Sequence, residues 1–266
     1  MQHKGSIIRA SLRLTVLLMH MLRGLWLVVV YRRRFGRDWY DGKRGKLLIQ
    51  SWSQRACQIL AINMTVTGKI SSRHNTLFVA NHISWLDIIA LSSVLMTKFV
   101  SKDTVRRWPV VGQLAVTTGT LFIERGKSFP VKKVIKKIRQ KLDGHHSVVI
   151  FPEGTTTDGL QLGHFHQALF KSVSDSRHFV QAVALRYTRD GCHDQSAPYI
   201  GDDNFIGHLF RMASLKQTCL EMTFTEPFVV ADMGRDDITR TVRSQLMESL
   251  RDLPSAQIIS VAGLAA

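Results

Sequence analysis

The chain has 266 residues, of which 45% are apolar, 8% aromatic and 21% charged. That is enough to bury a core without disulfide staples, and the balance excludes a disordered chain. It is strongly basic, with 36 Lys and Arg against 20 Asp and Glu for a net charge of +16, so a polyanionic partner is expected: nucleic acid or an anionic membrane surface.

The charge is concentrated in two places. Residues 1–46 carry +9 and residues 125–141 carry +8, leaving the rest close to neutral. Within the first block, Ile7 to Tyr31 is mostly apolar but is interrupted by Arg9, Arg13, His20 and Arg23. The clean runs, Leu14–Met19 and Gly24–Tyr31, are each too short to span a bilayer. No small-residue cleavage site precedes Tyr31-Arg32-Arg33-Arg34, which argues against a secretory signal. A helix over Leu14–Tyr31, with Trp26, Tyr31, Trp39 and Tyr40 as amphipathic rings, reads as membrane-associating; the alternative is a buried helix of a soluble domain. The basic cluster that follows it would lie on the cytoplasmic side, the inner-membrane face in a bacterium.

Next come a short helix over Ser51–Leu60, a strand over Ile62–Thr67 with a turn at Gly68, and a buried strand over Asn75–Ala80. A helix is expected from Trp85 to Ser93, a strand over Lys98–Val100, a turn over Lys102–Arg107, a loop or helix to Thr118 and a strand over Thr120–Ile123. Residues 128–142 place Val131, Val134, Ile135, Ile138 and Leu142 on one helical stripe, with lysines and Arg139 on the other. Strands over Ser147–Phe151, Phe179–Leu185 and Thr218–Phe224 and a helix over Asp236–Leu253 complete the pattern. The expected fold is α/β: a single layered domain with a mostly parallel central sheet flanked by helices, preceded by the membrane-associating helix. Its expected divisions are 1–46 for the apolar and basic segment, 47–230 for the catalytic domain and 231–266 for the final helix and tail. Cys57, Cys192 and Cys219 form no C-x-x-C pair and read as small buried hydrophobes of a protein from a reducing compartment.

Three groups stand at strand ends. His82 and Asp87 are spaced as H-x-x-x-x-D: His82 suits a general base, and Asp87 would fix its tautomer, although Ser84-x-x-Asp87 also reads as a capping box. No G-x-S-x-G elbow offers a serine nucleophile, so direct attack by a substrate hydroxyl is the simpler chemistry. Arg125 follows the strand ending at Ile123 and suits a phosphate or carboxylate. Glu153-Gly154-Thr155 follows Phe151-Pro152 and can present amides and a hydroxyl to an anion. His164-x-His166 has no carboxylate or Cys at metal-ligand spacing and reads as a polar loop.

Asn81-His82-x-Ser84-x-x-Asp87, Gly119-x-x-Phe122-Ile123-x-Arg125, Phe151-Pro152-Glu153-Gly154-Thr155 and, more loosely, Val180–Leu185 together resemble the glycerolipid acyltransferase family, over residues 60–230. The resemblance implies acyl transfer from a thioester to the free hydroxyl of a lysolipid. His82 would be the base and Asp87 its orienting partner, with Arg125, Glu153, Gly154, Thr155 and Gly119 holding the acceptor. The implied donor is an acyl carrier protein or coenzyme A thioester, and neither metal nor prosthetic group is called for. 1-Acyl-sn-glycerol-3-phosphate, giving phosphatidic acid, is the first acceptor implied. Thr156 and Thr157 replace the family's frequent Arg-Ser, Ala182 replaces its usual proline, and Phe165-His166-Gln167-Ala168 replaces Phe-Lys-x-Gly. The form Glu153–Gly159 is similar to a bacterial branch that completes ornithine lipids, which makes lyso-ornithine lipid the alternative acceptor. A nucleic-acid binder would interleave aromatics with its cations, and residues 132–141 contain none; the lysine face is expected to be a solvated surface or, in a lipid enzyme, to rest on anionic headgroups.

Overall fold

A computed structural model describes residues 5–108, 110–123 and 131–251. Its helices are α1 (Ile7–Phe35), α2 (Lys43–Ile59), α3 (Leu86–Val94), α4 (Asp103–Arg106), α5 (Val111–Thr117), α6 (Val131–Asp143), α7 (Phe205–Ser214) and α8 (Arg235–Arg251). The strands are β1 (Ile62–Thr67), β2 (Thr76–Ala80), β3 (Lys98–Lys102), β4 (Leu121–Ile123), β5 (Val148–Ile150), β6 (Phe179–Arg189), β7 (Cys192–His193), β8 (Thr218–Phe224) and β9 (Phe228–Val229). They form a sheet in the order β1-β8-β6-β2-β5-β3-β4, with β7 and β9 also paired to β6. Each adjacent pair in that order is parallel except β6 with β8. The sheet is thus mostly parallel, as expected, with helices on both faces.

Alternation along the strands sorts the core into two layers. Phe78, Ala80, Val149, Val183, Leu185 and Tyr187 face a cluster with α1, α2, α3 and α7. Leu77, Val79, Val148, Ile150, Val180, Ala182 and Ala184 face another with α6, α8 and the turn Gln167–Ser172. Because both faces are covered, β2 and β5 are apolar throughout instead of alternating.

Several elements differ from expectation. α2 starts at Lys43, eight residues before Ser51, and β6 continues to Arg189 because Val183–Thr188 pairs antiparallel with β8. The turn expected over Lys102–Arg107 is the end of β3 followed by α4. α7 has no counterpart in the sequence reading, because its buried stripe includes His208 beside Met212 and Ala213 and weakens the apolar period. Cys57 is buried, its thiol pushed up to about 12 by burial, but Cys192 is exposed: it lies on a two-residue edge strand, so the buried-hydrophobe reading fails there.

α1 is longer than expected and is fastened to the domain along one stripe: Ala10, Leu17, His20, Gly24 and Val28. Two arginines that interrupt its apolar run have structural work. Arg9 donates to Ser214 O at 3.0 Å, and Arg13 donates to Leu215 O at 2.5 Å and Lys216 O at 3.0 Å, satisfying carbonyls at the end of α7. His20 and Trp52 of α2 stack at 4.7 Å and exchange bonds with each other's backbone carbonyls.

Candidate active site

β2 ends at Ala80 and delivers Asn81 and His82 to the edge where β4 and β5 also end. The Asn81 side chain spans to β6, donating to Leu185 O at 3.0 Å and accepting Leu185 N–H at 2.8 Å, which continues the ladder by one step. His82 Nδ1 lies 2.8 Å from Asp87 Oδ2, and its ring stacks on Phe151 at 4.0 Å. An ionised carboxylate only accepts, so Nδ1 carries the proton and Nε2 presents a lone pair. The His82 side chain keeps 16% of its surface exposed while Asp87 has none.

Asp87 is both cap and partner. Its Oδ2 also accepts Ile83 N–H at 2.7 Å and Ser84 N–H at 3.0 Å, and Oδ1 accepts the Tyr187 hydroxyl at 2.8 Å. Burial and the neighbouring Asp87 push the Tyr187 phenol well above its ordinary value, so it remains a donor.

Glu153 is buried, with one oxygen accepting His82 N–H at 2.9 Å and the other Gly163 N–H at 2.7 Å. Burial raises its carboxyl above the usual range against the pull of those two bonds. Both oxygens are thereby committed to backbone, which gives Glu153 a positioning place beside His82 in the resting structure. A Cβ on Gly163 would stand 2.8 Å from Glu153 Oε2, so this close approach needs glycine. Arg243 of α8 holds the same loop, donating to Gly163 O at 2.8 Å and Leu162 O at 3.2 Å. His82 O accepts Thr157 N–H at 2.8 Å, Ile83 O accepts Tyr199 N–H at 2.9 Å, and the Thr156 hydroxyl donates to Tyr199 O.

Of the other expected residues, Gly154 turns the chain at φ 68° and Thr155 beside it is exposed at the same edge. Gly119 precedes β4, at the edge of the sheet opposite His82, and its φ of 80° and close approach to the Tyr40 ring are structural reasons for glycine there. Arg125 lies outside the described residues. Tyr187, Gly163 and Arg243 were not found from sequence, since each lies outside the strand-end motifs and meets its partner only through the fold. Among the described residues no group of three or more His, Cys, Asp or Glu is placed to hold a metal ion; the His164 and His166 rings are 6.1 Å apart. The assembly can take a proton at His82 Nε2 and stabilise the resulting imidazolium through Asp87.

The chain is similar to known proteins. A family model described as Acyltransferase matches residues 62–186. A lyso-ornithine lipid O-acyltransferase of Pseudomonas aeruginosa is 36% identical over 203 residues, 76% of this chain and 78% of the relative. A 1-acyl-sn-glycerol-3-phosphate acyltransferase of Neisseria gonorrhoeae is 30% identical over 229 residues, 85% and 88% of the two chains. The crystal structure of a 1-acyl-sn-glycerophosphate acyltransferase of Thermotoga maritima superposes with a TM-score of 0.64 over 94% of this chain and 96% of that one, at 15% identity, a likeness of fold.

Proposed function

This chain belongs to the acyltransferase family, and on that premise we propose that it moves a fatty acyl group from a thioester to the free hydroxyl of a lysolipid at a membrane. The observation that carries the mechanism is His82, bonded through Nδ1 to Asp87 at 2.8 Å with its ring at the open end of β2. Nε2 takes the hydroxyl proton as the oxygen attacks the thioester carbonyl. The tetrahedral intermediate collapses with cleavage of the C–S bond, and the imidazolium returns the proton to the departing thiolate. A thioester is already activated, so this chemistry asks for no metal or prosthetic group.

The acceptor reading turns on residue 156. A phosphate acceptor would gain from a cation there, whereas Thr156 is uncharged and its hydroxyl is spent on Tyr199 O. That favours lyso-ornithine lipid, with lysophosphatidic acid as the second reading.

α1 is the one helix among the described residues that is long and apolar enough to cross a membrane. Its docking on α7 and α2 supports a different placement, flat on the surface, with Leu12, Leu18, Met19 and Trp26 exposed. Arg32, Arg33 and Arg34 in its last turn would meet anionic headgroups on the cytoplasmic face. Leu160, Ile200 and Ile206, exposed on the loops and helix around the site, would face the acyl chains.

The test is turnover in mixed micelles, offering lysophosphatidic acid and lyso-ornithine lipid with coenzyme A and carrier-protein thioesters. His82→Ala is expected to abolish transfer while vesicle binding persists. Transfer that survives the substitution overturns the mechanism.

A further inference from the structure

The thirteen-residue helix α6 turns Val134, Ile138 and Leu142 into the core and leaves Lys132, Lys133, Lys136 and Lys137 exposed. None of these four lysines has an ion-pair partner among the described residues, whereas Lys141 on the same helix reaches Asp41 at 3.6 Å. Arg139 is spent on the carbonyls of Lys171, Ser172 and Ser174. Across the groove toward α8, Asp236 and Asp237 are bonded to Arg235 and Arg240, and Asp175 lines the same groove without an ion pair to any of the four lysines among the described residues.

We propose that this face of α6 receives an acidic carrier protein bearing the acyl thioester; the proposal rests on the acyl-transfer reading above. The layers of the fold set Lys132, Lys133, Lys136 and Lys137 apart from α1, although Lys141 at the far end of α6 reaches Asp41. α1, with its exposed apolar side chains, belongs to the layer with α2, α3 and α7, while α6 and α8 cover the other face of the sheet. With α1 flat on the bilayer, the α6 lysines project from the far side, toward water and away from the headgroups. On this proposal the α6 lysines meet a soluble partner in place of headgroups.

Topology places this face within reach of the chemistry. β4 and β5 are parallel strands of the sheet that end at the edge carrying His82, and α6 lies between them in the chain, so its first turn starts near that edge. Lys132 and Lys133 lie in that turn, and the whole helix is only about 20 Å long. A fatty acyl chain is nearly insoluble, so its donor arrives as a soluble conjugate from the water side. An unpaired row of lysines along one helix face is complementary in charge to an acidic helix on such a conjugate. Contacts of this kind speed encounter and weaken with salt.

The test uses the full chain carrying Lys132→Glu, Lys133→Glu, Lys136→Glu and Lys137→Glu together. With the carrier-protein thioester, kcat/KM is expected to fall about tenfold or more, mainly through KM and less steeply at high salt. With the coenzyme A thioester of the same chain length it should not change, nor should flotation with phosphatidylethanolamine and phosphatidylglycerol vesicles. Equal loss with both donors, no loss with the carrier, or lost flotation, which would mark a headgroup contact, overturns the proposal. Titration of the wild-type chain with purified carrier separates the two readings. Absence of a salt-sensitive complex overturns the docking even where coenzyme A thioester is turned over. A complex without turnover of either donor supports the docking and overturns the acyl-transfer reading instead.

Discussion

The Tyr187 hydroxyl donates to Asp87 Oδ1 at 2.8 Å across 100 residues of sequence, from a side chain with no exposed surface. The other oxygen of Asp87 takes His82 and two backbone N–H groups, so this bond fixes the rotation of the carboxylate that aims at the imidazole. Tyr187→Phe keeps the ring and its packing. It is expected to lower kcat about tenfold with KM for the acceptor unchanged, and to cost about 1–2 kcal/mol of stability. Steady-state kinetics beside thermal unfolding distinguishes the two; lost stability with intact kcat would assign Tyr187 to the core alone.

Arg243, the 162–163 backbone, Glu153 and His82 form one chain of hydrogen bonds from α8 to the catalytic edge. Glu153→Gln replaces one acceptor with an amide donor that must point at a backbone N–H. A tenfold or greater loss of kcat is expected, roughly the effect of one unsatisfied buried pair. Arg243→Met acts farther from the reacting atoms and should cost only a few-fold, with faster protease cleavage near Leu162. Full activity in Glu153→Gln would show that the clamp on His82 N–H is dispensable.

Gly119 supplies a contrast. An added Cβ would stand 2.5 Å from Tyr40 Cε2 at a φ of 80°, so Gly119→Ala is expected to destabilise the chain by about 1–3 kcal/mol. KM for the lysolipid should stay the same in the folded fraction. A selective rise in that KM would return Gly119 to the acceptor site.

Met19 and Trp26 are each 63% exposed on α1. The double variant Met19→Glu and Trp26→Glu should move the chain from membrane to soluble fraction without changing its melting temperature, because neither side chain packs on the domain. Arg13→Ala should do the reverse, lowering the melting temperature by uncapping α7. Membrane binding unaffected by the paired glutamates would rule out an α1 contact with lipid.

Lys98, 4% exposed, pairs with Asp41 at 2.7 Å and lies over the Tyr40 ring at 4.0 Å. Burial lowers its ammonium from 10.5 to about 8 despite Asp41. Below that window both folded and unfolded chains hold the proton; within it the unfolded chain holds a proton the folded chain has released, so stability rises with pH. The gain approaches about 3 kcal/mol once pH passes the unfolded value, at roughly 1.4 kcal/mol per pKa unit. Denaturant unfolding of wild type against Lys98→Met between pH 7 and 10.5 checks this, since the variant should lack that slope. Parallel profiles would contradict it.

The sequence determined the layered α/β plan through apolar periodicity, and the reaction class through the family resemblance that its strand-end motifs carry, because both are written in local stretches of the chain. His82-x-x-x-x-Asp87 needed no distant information, and α6 was legible from one stripe of Val134, Ile138 and Leu142. α7 was not, because His208 sits on its buried face. Tertiary structure decided the roles that depend on which groups meet. Glu153 finds His82 across 71 residues and Arg243 finds Gly163 across 80, and each bond exists because a buried polar group must be satisfied by whatever the fold brings near. The same holds for charge: Arg9 and Arg13 read as breaks in a span until α7 lay beside them. The cations of α1 and the lysines of α6 looked alike until the two helices packed on opposite faces of the sheet, since composition counts charges while only packing gives them a direction.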